Sequence, residues 1–305
     1  MNNPNVSVIV PAYNEEKYIG DTLKALKEQS FNDFEIIVID NGSTDRTMEI
    51  AASYGALVQQ KMDGSISAMR NLGASYAQGD ILAFLDADCI PTRTWVEMAL
   101  ERVGDNHVGV TGCHCSIPRE SSWVERAWYS TKPRGTNRVN FIGTANFFVR
   151  KAVFEELNGF DENLRTGEDY EFCSRIREKG YEVVSDDRIK VIHLRGPKTL
   201  MEKLKKEIWY GMETKNILKL NKLYKPFILS LIYILLFVSA LLCIIVHNIV
   251  FFLLSIFAIL SLLILISLIK CYRNRQFKYF FHLIPIYLCY ITGRSLSLLY
   301  FFRGK

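Results

Sequence analysis

Two apolar runs in the last third of this chain constrain its fold more than any other feature, because a soluble core has nowhere to put them. Phe227 to Val246 and Ile249 to Ile269 carry no charged residue. Each has about the 20 residues that a helix needs to cross a hydrocarbon layer. Only His247 and Asn248 separate them, so the spacing predicts a tight helical hairpin. Lys219, Lys222 and Lys225 precede it, and Lys270, Arg273, Arg275 and Lys278 follow. Basic flanks mark the cytoplasmic side of a membrane, which places the preceding head there as well. A further apolar stretch, Tyr279 to Phe302, is interrupted by Pro285, Gly293 and Arg294. It fits a third span or a helix lying in the interface; we expect the interface, which keeps Arg294, Arg303 and Lys305 wet.

Charge follows the same division. Positions 1–225 hold 30 Lys and Arg against 32 Asp and Glu, whereas positions 226–305 hold 7 basic residues and no acid, so the formal charge of +5 belongs to the tail. A slightly acidic head argues against nucleic acid as a partner, and a basic tail beside lipid-like sequence points to anionic headgroups. The opening MNNPNVSVIVPAYNEE has neither the basic start nor the apolar stretch of a signal peptide, so no export of the head is expected. Seven scattered cysteines imply no disulfide framework, and Cys113-His114-Cys115 lacks a second ligand pair at zinc spacing.

The head reads as an α/β domain. VSVIVPAYN at 6–14 is a strand ending in a turn, followed by helical spacing of Ile19, Leu23 and Leu26. EIIVIDNGS at 35–43 repeats the scheme, ALVQQK at 56–61 is a weaker strand, and Ile66, Met69, Arg70 and Ala74 lie along a helix before ILAFLDAD at 81–88. Strands alternating with helices imply a parallel sheet, whose ligands bind beyond the carboxyl ends of the strands. Asn14, Asp40 and Asp86 sit at such ends. Neither GxGxxG nor GxxxxGK[ST] is present, which excludes the dinucleotide fingerprint and the P-loop. Residues 197–217 read as an amphipathic helix, with Leu200, Leu204, Ile208 and Trp209 opposite Lys198, Lys203, Lys205, Lys206 and Lys215.

Asp86 and Asp88 end an apolar strand, where charge needs compensation. On an extended segment alternation puts both on one face, and a divalent cation bridging a diphosphate supplies the missing charge. A surface turn in which both accept backbone hydrogen bonds is the competing reading. Asp40, an acceptor only, suits a base N–H or ribose hydroxyls. Pro11, Ala12 and Tyr13 suit the floor beneath a planar base. Arg70 reaches phosphates or solvates a helix face. Glu168 and Asp169 point roughly 100° apart at a helix start. One of them suits a general base, the other a pairing with Arg175. His193, ending the strand VIH, suits a manganese-type ligand or a buried, hydrogen-bonded histidine.

VSVIVPAYNEEKYIGDTLKALKEQ, IIVIDNGSTDRT, RNLGASYAQGDILAFLDADC and GFDENLRTGEDYEFCSRIREKGYEV, in this order, resemble the successive signatures of family 2 glycosyltransferases over about residues 5–195. The resemblance implies the α/β class with a GT-A domain and a mostly parallel central sheet at 1–196; the spacing and apolar runs beyond it give an amphipathic interfacial linker at 197–225 and a membrane domain at 226–305. It also implies inverting transfer of one sugar from a nucleotide-diphosphate sugar, a UDP-sugar by family frequency, with Mg²⁺ or Mn²⁺. Asp40 matches the base-recognising aspartate, Asp86-Ala87-Asp88 the DxD with Asp88 as direct metal ligand, and Asp169 the catalytic base. Pro11, Ala12, Tyr13, Glu15, Arg70 and Ala87 join the donor-binding set, and His193 joins Asp86 and Asp88 at the metal. No QxxRW motif follows the ED segment, which favours single-sugar transfer over polymerisation. With the membrane hairpin, the expected acceptor is lipid-linked: a polyprenyl phosphate, a polyprenyl-diphosphate glycan or another membrane lipid. A metal-dependent nucleotidyltransferase and a non-catalytic sugar-nucleotide-binding membrane scaffold compete with this reading.

Overall fold

A computed structural model of the chain describes residues 4–214, 216, 218 and 224–301. The chain divides into two compact units, one of Met1–Pro118 and Pro133–Arg195, the other of Arg119–Lys132 and Gly196–Lys305. In the first unit the order is β1 (Val6–Ala12), α1 (Ile19–Lys27), β2 (Phe34–Asp40), α2 (Thr47–Ser53), β3 (Leu57–Gln60), α3 (Ile66–Tyr76), β4 (Ile81–Leu85), β5 (Cys89–Pro91), α4 (Trp95–Val103) and β6 (Val108–Gly112). The chain then contributes α5 (Trp123–Tyr129) to the second unit and returns as β7 (Asn137–Arg138), β8 (Asn146–Arg150), α6 (Lys151–Glu156), α7 (Glu168–Glu178), β9 (Glu182–Ser185) and β10 (Val191–His193).

Eight strands form one sheet in the order β3-β2-β1-β4-β8-β6-β9-β7. The first four are parallel, as the alternation of strands and helices predicts. Beyond β4 the sheet is mixed: β8 runs antiparallel to both β4 and β6, β6 and β9 are parallel, and β7 closes the edge antiparallel to β9. Period-2 alternation sorts the core. Val6, Val8 and Val10 of β1 and Ile36 and Val38 of β2 face one layer with Ile19, Leu23 and Leu26 of α1. Ile9, Ile37, Ile39, Leu82 and Phe84 face the other layer with Met69, Phe154 and Phe172. Both faces are therefore covered, which is why these strands read as continuous apolar runs.

The second unit holds α5, α8 (Leu200–Gly211), α9 (Lys225–Ile245), α10 (Ile249–Asn274) and α11 (Phe280–Ser297). Helices α9 and α10 are long and apolar enough to cross a membrane. His247, with φ of 54°, makes the turn between them, and the Asn248 side chain caps α10 by accepting the Phe251 N–H at 3.2 Å. Small residues such as Ser230, Ala240, Ser255 and Ser267 turn inward, while Leu235 and Phe257 are about 70% exposed, an arrangement suited to a hydrocarbon surround and not to water. Helix α11 contains Pro285 and packs on α8 at Gly293, where a Cβ would lie 2.7 Å from the Glu207 Cβ and 2.9 Å from the Leu204 carbonyl oxygen.

One expectation for α8 is overturned. Lys203, read from sequence as part of a basic solvated face, is fully buried. It pairs with Glu207 one turn on, and its Nζ lies 3.2 Å from the centre of the Trp128 ring. Arg294 Nε donates to the same Glu207 at 2.9 Å. Burial pushes the Lys203 ammonium down to about 8, against the pull of Glu207. Lys215, Lys219, Lys222, Arg303 and Lys305 lie outside the described residues.

Candidate active site

The site is built where the sheet reverses direction. After β1, the strands β2 and β3 are laid down on one side and β4 on the other, so a crevice opens at the carboxyl ends of β1 and β4. Strand β1 stays in register with β2 to Ala12↔Asp40, but its pairing with β4 stops at Ile9↔Phe84. Pro11 therefore stands where β4 no longer asks for an N–H. Pro11 and Ala12 are buried in the strand end, and Tyr13, the next residue, is 56% exposed.

Asp40 is fully buried, and its carboxylate organises the turn that follows β2. One oxygen accepts the N–H groups of Gly42 and Ser43, each at 2.9 Å, and the other accepts the Ser43 hydroxyl. Ser43 Oγ also accepts the Asn14 N–H at 2.8 Å, and Asn14 Oδ1 accepts the Thr44 N–H at 2.9 Å, which joins the loops after β1 and β2. The aspartate expected at a base or ribose is thus committed to its own turn in this arrangement.

Asp86 and Asp88 are not on an extended segment. Strand β4 ends at Leu85, and the Cys89 N–H closes a turn onto the Asp86 carbonyl at 3.1 Å. The turn sends the two carboxylates to different arginines. Asp86 accepts from Arg70 at 2.8 Å, and Arg70, only 3% exposed on α3, also donates to Glu168 at 2.7 Å. Asp88 is buried and accepts from Arg195 Nε at 2.9 Å, while another nitrogen of Arg195 holds Glu15. Strand β10 pairs antiparallel with β5 in the register His193↔Cys89, which carries His193 to the same turn. There its Nδ1 accepts the Arg195 N–H at 3.2 Å, and its Nε2 stands 3.7 Å from Asp88. Ala87, buried between the aspartates, gives its carbonyl to the Thr22 hydroxyl at 2.8 Å.

Helix α7 delivers the remaining pair. Gly167 caps it with φ of 80°, a left-handed conformation that a side chain resists, so the helix starts at Glu168. Phe172 anchors the helix in a cluster with Phe147, Phe154 and Phe160, ring centres 5.0 to 6.0 Å apart. Glu168 turns to Arg70 and accepts the Thr144 hydroxyl at 3.2 Å. The expected partner of this pair, Arg175, instead grips Glu171 with two hydrogen bonds of 2.7 and 2.6 Å. That correction follows from helical spacing, because Glu171 lies one turn before Arg175. Asp169 is left beside Gly143, where a Cβ would sit 3.6 Å from its Oδ2. Burial, and then the charge of Glu168, push the Asp169 carboxyl up to about 7, against the pull of Arg70. Glu15 rises to about 6 for the same first reason, with Arg195 opposing it and Asp88 adding to it.

The chemistry of the cluster suits a hard cation. Asp88, Cys89 and His193 bring ligand atoms within 4.8 Å of one another, but a hydrogen bond that the Cys89 thiol donates to Cys115, and then burial, push that thiol well up, which leaves oxygen and imidazole donors. Glu15 Oε2 is buried without a hydrogen-bond partner, so the pocket holds unspent acceptor capacity.

Residues 7–157 match the model of Glycosyl transferase family 2. The match covers 151 of 305 residues, just under half of the chain, and is a likeness of that stretch to family 2 glycosyltransferases. AglE, a glycosyltransferase of Haloferax volcanii, is 33% identical over 192 residues, covering 58% of this chain, and the chain spans 63% of the length of AglE. The mannosyltransferase PcManGT from Pyrobaculum calidifontis, in complex with GDP-Man and Mn²⁺, shares the fold with a TM-score of 0.56 at 19% identity, over 71% of this chain and 65% of that one. S. aureus TarS 1–349, in complex with UDP-GlcNAc, gives 0.54 at 16% identity, over 96% of this chain and 90% of that one. Both structural likenesses are likenesses of the GT-A fold. Within the first unit the structure joins Asp86 with Arg70, and Asp88 with His193 and, through Arg195, with Glu15, while Asp40 stays in its own turn. Arg195 was missed from sequence; the excess of carboxylates over cations at these strand ends was the one signal that could have found it.

Proposed function

We propose that the chain is a membrane-anchored, inverting glycosyltransferase that moves one sugar from a nucleotide-diphosphate sugar, a UDP-sugar, to a lipid-linked acceptor on the cytoplasmic face. The observation that carries this reading is Asp169, a carboxyl whose proton affinity is raised to about 7 and which follows directly on Glu168, the residue that Arg70 joins to Asp86. A base of that strength is matched to removing a hydroxyl proton near neutral pH. In the step, the acceptor oxygen gives its proton to Asp169 and bonds to the anomeric carbon from the face opposite the donor's diphosphate. The bond from that carbon to the diphosphate oxygen breaks, and the electron pair leaves with the nucleoside diphosphate. Arg70 holds Asp86 and Glu168 at fixed separation. Tyr13, exposed at the end of β1 above Pro11 and Ala12, offers a face for the base.

Mg²⁺ or Mn²⁺ fits the oxygen and imidazole donors of Asp88 and His193, with Asp86 as a further proposed ligand, and the Mn²⁺ in the PcManGT complex supports that choice. Bound there, the ion would neutralise charge developing on the departing diphosphate. The UDP-GlcNAc bound to TarS supports a uridine donor. Helices α9 and α10 support the membrane placement, and the basic residues flanking them support a cytoplasmic catalytic unit.

Purified full-length protein with labelled UDP- and GDP-sugars, Mn²⁺ or Mg²⁺, and polyprenyl phosphate or membrane lipid extract tests the reading. The expected result is label in the organic phase matched by nucleoside diphosphate release. Release of pyrophosphate would instead establish nucleotidyl transfer, and label confined to the aqueous phase would remove the lipid acceptor.

A further inference from the structure

Resting on the sugar-nucleotide reading above, we propose that Arg195 is a built-in counter-cation that competes with the divalent ion for Asp88 and Glu15, so that the ion binds strongly only when a nucleoside diphosphate is present to receive the guanidinium. The two arginines of the site differ in how they are held. Arg70 is 3% exposed and clamped between Asp86 and Glu168. Arg195 is 49% exposed at its side chain, with Nε on Asp88 Oδ2 at 2.9 Å, a terminal nitrogen on Glu15 Oε1, and the Tyr18 ring 5.3 Å from its Cζ. The first is part of the frame; the second has a side open to water and can leave once another partner takes it.

Charge makes the competition unavoidable. Asp88 offers two oxygens, of which Oδ2 is taken by the guanidinium and Oδ1 faces His193. A divalent ion sharing those oxygens would sit within a few ångströms of a group that cannot be deprotonated, and like charges at such range repel. Removing the guanidinium without a new partner leaves buried Asp88 and Glu15 without the cation they share. A diphosphate resolves both problems, because guanidinium pairs with phosphate oxygens as well as with carboxylates. Ion and nucleotide then favour each other reciprocally, since each gains from what the other does to Arg195.

The test is Mn²⁺ binding to full-length protein, read by electron paramagnetic resonance of free Mn²⁺, with and without UDP or GDP. Arg195→Gln removes the charge and keeps the size; it should bind Mn²⁺ about tenfold more tightly than wild type without nucleotide, and the tightening by UDP or GDP should shrink correspondingly. Arg195→Lys, which keeps a cation, should stay near wild type. In an Asp88→Asn background the gain should vanish; a gain that persists there would place the ion elsewhere and overturn the proposal. Equal or weaker nucleotide-free affinity in Arg195→Gln, with the nucleotide effect intact, would overturn the role of Arg195 alone. Absence of any UDP or GDP effect in either protein would overturn the sugar-nucleotide reading, and the coupling with it.

Discussion

In the first unit, Glu15, Asp86, Asp88 and Glu168 are served by two guanidinium groups, Arg70 and Arg195, whereas in the second unit one carboxylate, Glu207, is shared by Lys203 and Arg294. The first arrangement leaves acid in excess and a buried Glu15 oxygen without a partner. The second leaves a cation in excess, but aromatic groups close it: Trp128 lies against Lys203, and Tyr290 and Tyr210 lie 5.6 and 5.7 Å from Arg294. Buried charge of the first kind leaves acceptor capacity open, which is what the proposed entry of a cation with a nucleotide requires. Buried charge of the second kind is a fastening between α8 and α11, because each ion already has its partner and no atom of the three residues is left unsatisfied among those described.

Breaking each arrangement should therefore fail in a different way. Asp169→Asn removes the base and leaves the carboxylate frame, so transfer should fall about 10³-fold while UDP affinity stays within a factor of a few. Turnover near wild type would take Asp169 out of the chemistry. Glu207→Ala strands Lys203 and Arg294 in a buried site, and the melting of detergent-solubilised protein should report a loss of about 3–5 kcal/mol. A neutral result there would mean that water reaches the cluster and that it is no fastening. Gly293→Ala is smaller: its Cβ meets backbone at Leu204, which cannot yield, so about 1–3 kcal/mol is expected in the same measurement.

How much of this was legible in sequence depends on whether a residue's role is set by its own strand or helix, or by distant segments. Ile19, Leu23 and Leu26 on α1, and Met69 and Ala74 on α3, lie at helical spacing and are buried as that spacing requires, whereas Arg70, expected at phosphates or on a solvated face, is buried between two carboxylates. The four parallel strands followed from alternation with helices. Asp86-Ala87-Asp88 was misread as extended because the apolar run does not show where β4 stops; the turn closes on Asp86. Lys203 looked solvated because the burial it suffers comes from Trp128, 75 positions earlier, and from α11, 77 to 94 positions later. Arg195 lay two residues beyond His193, unremarked, because nothing local says that it folds back across 180 positions to Glu15. Asp40 carries the opposite lesson: its position was plain, but its hydrogen bonds to Ser43 are a local matter that residue type alone leaves open.

The smallest expected effect is on pH, and it separates the two charge clusters cleanly. Asp169 must be ionised to accept a proton, and its carboxyl is raised from 3.8 to about 7. Below pH 7, kcat/KM should then fall about tenfold per pH unit, with a plateau above. Stability should run the other way: between about pH 4 and 7 the folded chain keeps a proton that the unfolded chain has released, so this group's contribution to folding declines as pH rises through that window. Glu168 is the largest neighbouring charge raising Asp169. Glu168→Gln should therefore move the midpoint of the activity profile to lower pH, whereas Glu207→Gln, acting in the other cluster, should leave it in place. A midpoint that follows Glu207, or ignores Glu168, would show that the proton being titrated is not the one on Asp169.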